Sequence, residues 1–539
     1  MKTILLLLVL VLPFAGVAQS WEDTVRSIEK IFERYKSTGP GAQLAISRHG
    51  QVIFSKAWGL ADLEHNVPLT TTSVTEAGSV SKQFTAAAIL LLEQQGKLSL
   101  NDDVRKYVPE LKDYGTPITL RQMMQHTSGL RDWGAIAAVA GWPRSTKTYN
   151  NNDALYIIAL QQGLNNKPGA EYLYSNSNYN LFAVIVERVS GISLAEFTRR
   201  HIFEPAGMKH TQWRDNYKKV VPNRAIAYSK SGGDYLTNMP NEFVYGNGGL
   251  LTTAEDLLTW THYYTTGKFG SPSLLPKQLE TTPLNNGNRN GYAAGLSIGK
   301  ANGLDVIAHD GATAGYRANL EHFPSLGLTI AWLSNTSEFD NAGSVVGQVR
   351  NLFIAPLSQQ SPNHPAFTVT QEKLDSYAGW YRNSRTGGGI RLAINNGRLN
   401  ATQVGALQPV GDRVFAVGNN RLELLPDHRR NGLLFVTAGK DSIYFTPVDS
   451  AKIDSKTQNE YVGEYYSAEA EARYIVYTKD GKLFVQLKPQ APIELRPTYK
   501  DGFDTFFGNV YFERDRRNKI VNFKVSSGRA RNVEFKRIQ

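Results

Sequence analysis

The spacing of apolar residues alternates between helical and strand periodicity along 19–355 of the chain. Trp21, Val25, Ile28, Phe32 and Tyr35 recur at helical spacing, which predicts an amphipathic first helix. Similar apolar stripes predict further helices at 79–95, 153–161, 179–189 and 254–264. Short β-rich runs predict strands at 41–48, 51–59, 306–309, 318–323 and 328–333. We expect the late strands to join the first hairpin in one antiparallel sheet beside the helices, which is an α+β fold.

The last third of the chain changes to short alternating strands only, and it is internally duplicated. The segment 377–381 (YAGWY) matches 461–465 (YVGEY), and 397–399 (GRL) matches 481–483 (GKL), with the same offset in both cases. Two copies are too few for a solenoid. We therefore expect each copy to fold as a small, barrel-like, all-β module.

The start of the chain follows the order of a secretory signal peptide. Lys2 precedes an apolar run at 4–12, and Gly16 and Ala18 supply small side chains before a cut after Ala18. A membrane span needs about 20 apolar residues, and this run is shorter. The sequence predicts a secreted or periplasmic protein without a transmembrane anchor in its mature form.

A proline-rich stretch separates the part of the chain with both helices and strands from the part with strands only, and it completes the predicted domain organisation. The segment 356–366 contains three prolines and few apolar side chains, which is typical of a linker. We predict a signal peptide at 1–18, an α+β domain at 19–355, a linker at 356–366, and β modules at 367–452 and 453–539.

The amino-acid composition excludes several kinds of chemistry for this chain. The chain has 539 residues, of which 41% are hydrophobic and 20% are charged, as in globular proteins. It has no cysteine, which excludes disulfides, cysteine-ligated zinc, iron–sulfur clusters and a cysteine nucleophile. Neither a His-Glu-x-x-His motif nor a Gly-Lys-Ser/Thr motif occurs. We expect no metal and no other cofactor.

Positive charge is concentrated in the last third. The segment 361–539 holds 27 Lys and Arg against 19 Asp and Glu, so it carries +8 of the net charge of +11. Nine basic side chains fall within 512–537. Such a surface is either a solvated strand face or a site for an anionic polymer of the cell envelope. We expect no nucleic-acid partner.

Ser79 and Lys82 form the first candidate pair. Residues three apart share one face of a helix, so the hydroxyl and the amine can meet. A serine needs an adjacent base to act as a nucleophile, and a buried lysine near other cations loses its proton more readily. The pattern is weak alone, because Ser27 and Lys30 share the spacing on a predicted helix surface.

Two further elements complete a candidate site. Tyr174-Ser175-Asn176 supplies a tyrosine for proton transfer and an amide that can orient a lysine. His309-Asp310-Gly311 follows a predicted strand, where Gly311 allows a close approach of substrate and the backbone N–H of Ala312 can face an oxyanion. Each has a purely structural alternative, a packed tyrosine or a turn histidine.

The ordered motifs resemble the serine hydrolases of the penicillin-binding-protein and class C β-lactamase superfamily. Their spacings suit that family, and three further stretches typical of it occur at 125–130, 201–208 and 248–256. The resemblance covers about 22–355 and implies a β-lactamase/transpeptidase-like α+β domain. It implies Ser79 as the acylated nucleophile, Lys82 and Tyr174 as the proton-transfer pair, and Asn176 as their positioning partner. The N–H groups of Ser79 and Ala312 would form the oxyanion hole.

One departure bears on the substrate. His309 occupies the place that β-lactamases usually fill with the lysine of Lys-Thr-Gly, and that lysine is associated with the carboxylate of penicillins and cephalosporins. A histidine there resembles the D-aminopeptidases, peptidases and esterases of the superfamily. Some of those proteins also carry C-terminal barrels. We expect hydrolysis of an amide, peptide or ester, with a true β-lactamase and a non-catalytic envelope-binding protein as alternatives.

Overall fold

The computed structural model of the protein describes residues 20–339, 342–356, 367–426, 432–437, 441–452, 454–487 and 490–538. The predicted signal peptide and residues 357–366 of the predicted linker lie outside the described residues. Within the described part of the chain, no helix has the length and apolarity that crossing a membrane requires.

A six-stranded antiparallel sheet is the centre of the α+β domain. Its strands lie side by side in the order 297–301, 304–313, 316–323, 328–334, 42–48 and 51–58, so the late strands do join the first hairpin, as predicted. The hairpin turns at His49 and Gly50, which both have positive φ, as a two-residue turn between twisted strands requires. The strands of this domain are β1 Ala42–Arg48, β2 Gln51–Trp58, β3 Leu60–Asp62, β4 Val67–Pro68, β5 Thr75–Glu76, β6 Gln212–Trp213, β7 Tyr228–Ser231, β8 Asp234–Thr237, β9 Leu250–Thr252, β10 Ser297–Ala301, β11 Leu304–Thr313, β12 Tyr316–Phe323 and β13 Leu328–Ser334.

Helices cover both faces of this sheet. Alternation along β1 sends Leu44 and Ile46 to the face covered by the helices at 21–32 and 342–350, and sends Ala45 to the larger helical block. The five helices predicted from apolar stripes are confirmed within a few residues. The helices are α1 Trp21–Phe32, α2 Lys82–Gln94, α3 Leu120–Met124, α4 Trp133–Val139, α5 Asn151–Ala159, α6 Asn176–Ser190, α7 Leu194–Thr198, α8 Glu204–Ala206, α9 Ala254–Thr265, α10 Leu274–Gln278 and α11 Ala342–Arg350.

The duplicated last third forms two nine-stranded antiparallel sheets with the same strand order. The first module, residues 367–452, contains α12 Gln371–Tyr377, β14 Gly379–Asn383, β15 Gly389–Asn395, β16 Arg398–Ala401, β17 Gly405–Ala406, β18 Gln408–Pro409, β19 Val414–Val417, β20 Asn420–Leu425, β21 Gly432–Val436 and β22 Ser442–Val448. The second module, residues 454–538, contains α13 Ser455–Tyr461, β23 Gly463–Ser467, β24 Ala472–Lys479, β25 Lys482–Gln486, β26 Ile493–Glu494, β27 Arg496–Pro497, β28 Gly502–Thr505, β29 Gly508–Arg514, β30 Ile520–Ser527 and β31 Ala530–Arg537.

Both modules confirm the predicted barrel-like, all-β architecture, with one correction. Each sheet begins and ends at short strands adjacent in sequence, so it is nearly closed. Each module also opens with a short helix, α12 or α13, where the sequence predicted strands only. The Tyr381 hydroxyl donates to the carbonyl of Tyr377, and the Tyr465 hydroxyl donates to that of Tyr461, both at 2.8 Å. The repeated tyrosines therefore tie helix to strand, and helices of only two turns are too short for an apolar stripe to reveal.

The second module packs directly against the α+β domain. Ile136 and Val139 of α4 belong to the same apolar cluster as the interior of this module. Arg131 and Glu469, only 5% and 6% exposed, form an ion pair of 2.5 Å across the contact. Glu171 pairs with Arg531 of the second module and Arg385 of the first. These contacts bring the β30–β31 turn beside α4 and α6.

Candidate active site

Ser79 lies on a 3-10 turn, Gly78–Ser81, that leads directly into α2. The turn is pressed against β11: a Cβ on Gly311 would stand 2.1 Å from the carbonyl oxygen of Ala77. Gly78 has a φ of +50°, and a Cβ there would stand 2.8 Å from the nitrogen of Ala312. Both glycines are therefore required by this close approach. The predicted helix starts at Lys82 rather than Ser79 because this turn precedes it.

Lys82 is fully buried and its amine points at Ser79. Its Nζ lies 3.1 Å from Ser79 Oγ, and it donates to Asn176 Oδ1 at 3.0 Å and to the Asn247 carbonyl oxygen. Burial holds the pKa of Lys82 well below its usual value, and the positive charge of Arg529 lowers that pKa further. The structure brings a serine hydroxyl and an easily deprotonated amine together.

Tyr174 stands on the other side of the same site. Its ring lies 4.8 Å from Lys82 Nζ and 4.1 Å from the ring of His126. Its hydroxyl is buried and, among the described residues, has no hydrogen-bond partner. Burial raises the pKa of Tyr174 well above 10, although the neighbouring Ser79 hydroxyl acts in the opposite direction. Tyr174 is therefore a neutral phenol near pH 7, available to donate a proton.

Asn176 begins α6 and links the lysine to α4. Its backbone N–H donates to the Asp132 carboxylate at 2.8 Å, while its side chain accepts from Lys82. Asp132 also caps α4 by accepting from the N–H groups of Gly134 and Ala135. Asn176 is thus held through its backbone by the residue that caps α4 and through its side chain by Lys82, the first residue of α2.

His309, Gly311 and Ala312 lie on β11, beside the Ser79 turn. His309 Nδ1 lies 2.6 Å from the Asp310 carbonyl oxygen, and its Nε2 lies 2.9 Å from the Tyr292 hydroxyl. A carbonyl only accepts, so Nδ1 carries the proton and Nε2 accepts from Tyr292. Burial lowers the pKa of His309 to about 4, with Lys82 contributing to the shift. His309 is neutral near pH 7 and supplies no positive charge.

The predicted site residues meet in one cavity of about 390 Å³. Ser79, Tyr174, Asn176, His309 and Ala312 line it. Lys82 lies directly behind Ser79. Gly311 does not line the cavity, and the close approach that it allows is to the Ser79 turn rather than to substrate as predicted. The cavity also receives residues that the sequence reasoning did not place there, namely Arg144, Tyr172, Glu242, Asn247, Tyr292 and Arg529.

Some of these residues carried a signal in the sequence. Asn247 stands in a Tyr-x-Asn pattern like that of Tyr174 and Asn176, yet only its backbone carbonyl reaches Lys82. Arg529 belongs to the basic segment 512–537, but no local pattern distinguishes it from the other eight basic residues. Arg144 and Glu242 bind each other although they lie far apart in the sequence, and no spacing rule predicts such a pair.

A second serine at the cavity is a weaker candidate nucleophile. Ser297 stands in a Gly-x-Ser-x-Gly sequence at 295–299, a pattern that α/β-hydrolases place on a turn between strand and helix. Here Ser297 begins β10, a strand at the edge of the sheet. Its hydroxyl has no hydrogen bond among the residues described. Ser79 alone of the two faces a base.

The family model described as Beta-lactamase matches residues 28–349, which is more than half of the chain. The chain belongs to the β-lactamase family. A D-aminopeptidase of Brucella anthropi is 24% identical over 545 residues, covering 95% of this chain and 98% of that protein. A D-aminopeptidase of Cereibacter sphaeroides (strain KD131) is 26% identical over 481 residues, covering 86% of this chain and 87% of that protein.

A solved structure shows the same fold over most of the chain. The octameric penicillin-binding protein homologue from Pyrococcus abyssi superposes with a TM-score of 0.54 at 20% identity, covering 87% of this chain and 98% of that one. The β-lactamase-family assignment and the D-aminopeptidase relatives confirm the predicted serine hydrolase of the penicillin-binding-protein superfamily.

Proposed function

We propose that the chain is an exported serine hydrolase that cleaves an amide, peptide or ester bond through an acyl-enzyme on Ser79, in the manner of D-aminopeptidases. The observation that carries the proposal is the fully buried Lys82 amine, 3.1 Å from Ser79 Oγ and held by Asn176. A buried amine with a depressed pKa is the base that a serine nucleophile needs.

Acylation uses two proton carriers, Lys82 and Tyr174, whose pKa values are shifted in opposite directions. Ser79 Oγ attacks the substrate carbonyl carbon, and its proton passes to neutral Lys82. The oxyanion that forms faces the N–H groups of Ser79 and Ala312 across the contact between the turn and β11. The tetrahedral intermediate then collapses, and the bond between the carbonyl carbon and the leaving group breaks.

Tyr174 acts on the leaving group. As a neutral phenol it donates its proton to the departing nitrogen or oxygen, and the Lys82 ammonium returns a proton to Tyr174. In the second half, Lys82 accepts a proton from water, the hydroxide attacks the ester carbonyl, and Ser79 leaves with that proton. The acid product and the free enzyme result.

Only a short part of the basic segment 512–537 of the second module is open to an anionic partner. Six of its nine basic side chains have contacts within the protein: Lys524, Arg529, Arg531 and Arg537 contact other parts of the fold, Arg514 binds Asp501 and Glu460, and Lys536 lies near Glu534. Arg516, Arg517 and Lys519 are exposed. An anionic envelope polymer would therefore bind at the turn 515–519. Cosedimentation with cell-wall polymer should fall when these three residues are changed to glutamine.

The hydrolase proposal is tested with Ser79→Ala and a matched control. A p-nitrophenyl ester and a panel of D-amino-acid amides are offered to both variants and to the wild type. We expect Ser79→Ala to abolish turnover and to lose the acyl adduct seen by intact mass spectrometry. Ser27→Ala removes a serine that also stands in a Ser-x-x-Lys pattern, on the first helix, and should leave both unchanged. Equal hydrolysis by wild type and Ser79→Ala would refute the proposal.

Export is tested separately. We expect the secreted form of the protein, purified from a bacterial host, to begin at Gln19. Retention of residues 1–18 on an intracellular product would contradict this part of the proposal.

A further inference from the structure

The second module places one arginine at the mouth of the Ser79 cavity. Arg529 stands in the turn between β30 and β31, and its guanidinium carbon lies 4.5 Å from the ring centroid of Tyr174. It lines the same cavity as Ser79 although the two stand near opposite ends of the sequence. A guanidinium stacked on an aromatic ring keeps its in-plane N–H groups free for an oxygen ligand.

The backbone of Arg529 is held firmly. Its carbonyl oxygen accepts from Asn165 Nδ2 at 2.8 Å and from the Asp132 N–H at 3.2 Å. The N–H of Arg531 donates back to Asn165 Oδ1 at 2.7 Å, and the Arg531 side chain pairs with Glu171. The turn is therefore docked on the α+β domain, which fixes the backbone of Arg529 beside the cavity.

Arg529 differs from the neighbouring arginines in how its charge is paired. Arg144 binds Glu242 through two nitrogens, and Arg385 pairs with Glu171 and Asp441. Among the described residues, no carboxylate oxygen lies within 4 Å of the Arg529 guanidinium. Asp310 lines the same cavity without pairing with it. His309 is neutral. Arg529 therefore supplies, at the mouth of the cavity, a positive charge that is not paired with a carboxylate among the described residues.

We propose that Arg529 binds a carboxylate on the leaving-group side of the substrate. This inference rests on the proposed function, because it places the leaving group beside Tyr174. A group protonated by Tyr174 departs next to the ring on which the guanidinium stacks. A carboxylate attached there meets the planar N–H groups of Arg529. The preferred substrates are thus amides or esters whose departing amine or alcohol carries an acidic group.

Two matched aryl esters test this directly on the full chain. We compare 3-carboxy-4-nitrophenyl acetate with 3-carbamoyl-4-nitrophenyl acetate, whose leaving groups differ mainly in charge. The variants are Arg529→Gln, Arg529→Lys and Arg496→Gln; the last removes an equal charge from an exposed position on β27 of the same module, away from the cavity. Far-ultraviolet circular dichroism and the thermal midpoint confirm that each variant is folded.

We expect the wild type to favour the carboxylate ester in kcat/KM by about 10-fold or more, as a charge-assisted hydrogen bond allows. Arg529→Gln should remove that preference, Arg529→Lys should keep much of it, and Arg496→Gln should match the wild type. The preference should also shrink in high salt.

The outcomes separate this inference from the proposed function. Ser79-dependent hydrolysis of both esters at a ratio near one would overturn the role of Arg529 and leave the hydrolase standing. A preference that survives Arg529→Gln would assign the carboxylate to another group and would also overturn it. Loss of Ser79-dependent hydrolysis of both esters would overturn both proposals.

Discussion

The carboxylate of Asp132 accepts a hydrogen bond from the backbone N–H of Asn176, at 2.8 Å. The Asn176 side chain accepts from Lys82, and the N–H of Asp132 donates to the carbonyl of Arg529. One aspartate therefore connects the buried lysine to the second module. In the proposed mechanism Asp132 is a positioning residue, because its carboxylate contacts Lys82 only through Asn176.

Two charges near Lys82, on Asp132 and Arg529, should shift the pH dependence of kcat/KM in opposite directions when they are removed. The Asp132 charge raises the pKa of Lys82, while Arg529 lowers it, both against the larger lowering by burial. In the proposed mechanism Ser79 needs the neutral Lys82 amine, so kcat/KM should rise with pH through the pKa of Lys82. Asp132→Asn should shift this rise to lower pH, and Arg529→Gln should shift it to higher pH.

The measurement is kcat/KM against pH for a neutral ester. Asp132→Asn should also lower kcat about 10-fold or more, because one of its two acceptor oxygens becomes a donor. Shifts in the same direction, or none, would contradict the assignment of the rising limb to Lys82.

Replacing Tyr174 should affect amides more than activated esters. Tyr174→Phe removes the proton donor and should lower kcat/KM for an amide on the order of 10²–10⁴-fold. A p-nitrophenolate departs without protonation, so its release should be slowed far less. Equal losses for both substrates would show that Tyr174 does not protonate the leaving group.

A methyl group at Gly311 should disable the site. Its Cβ would stand 2.1 Å from the carbonyl oxygen of Ala77, so the Ser79 turn and β11 would have to separate. We expect Gly311→Ala to lower kcat/KM by about 100-fold or more, as loss of an oxyanion donor does. Gly299→Ala on the edge strand β10 meets no atom within 4 Å and is the control. Comparable losses in the two variants would refute the argument.

The contact between Arg131 and Glu469 should dominate the docking of the second module. Glu469→Ala leaves a buried guanidinium without its charge partner and should cost about 3–5 kcal/mol in the free energy of unfolding. Chemical denaturation measures this cost. Asp305→Asn, which breaks the exposed pair with Lys300, should leave the midpoint unchanged. Equal stability of Glu469→Ala and wild type would place the docking energy in the apolar cluster alone.

Acid should destabilise the fold through His309. Its pKa falls from 6.5 to about 4 on folding, because burial disfavours the charged form. Between those values the unfolded chain binds more protons, so the free energy of unfolding decreases as pH falls. His309→Gln should weaken the decrease of the free energy of unfolding between pH 6.5 and 4. An unaltered dependence would mean that His309 is protonated in the folded protein.

Local patterns determined much of this protein. The apolar stripes of α1, α2, α6 and α9 and the alternation in β1 and β2 each lie within a few turns or pairs, and the structure confirms them. The order of Ser79, Lys82, Tyr174, Asn176 and His309 determined the superfamily, because those residue types in that order and spacing occur together for one chemistry. The duplicated motifs determined that two similar modules follow.

Only the tertiary structure decided what surrounds the serine. The entry of Arg529 into the cavity depends on the docking of a module that is distant in sequence, through Arg131 and Glu469, and nothing local to Arg529 encodes it. Burial decided that Tyr174 and His309 are neutral, and it depressed the pKa of Lys82. Proton affinity is set by solvent exclusion and by charges brought close in space, and a linear sequence states neither.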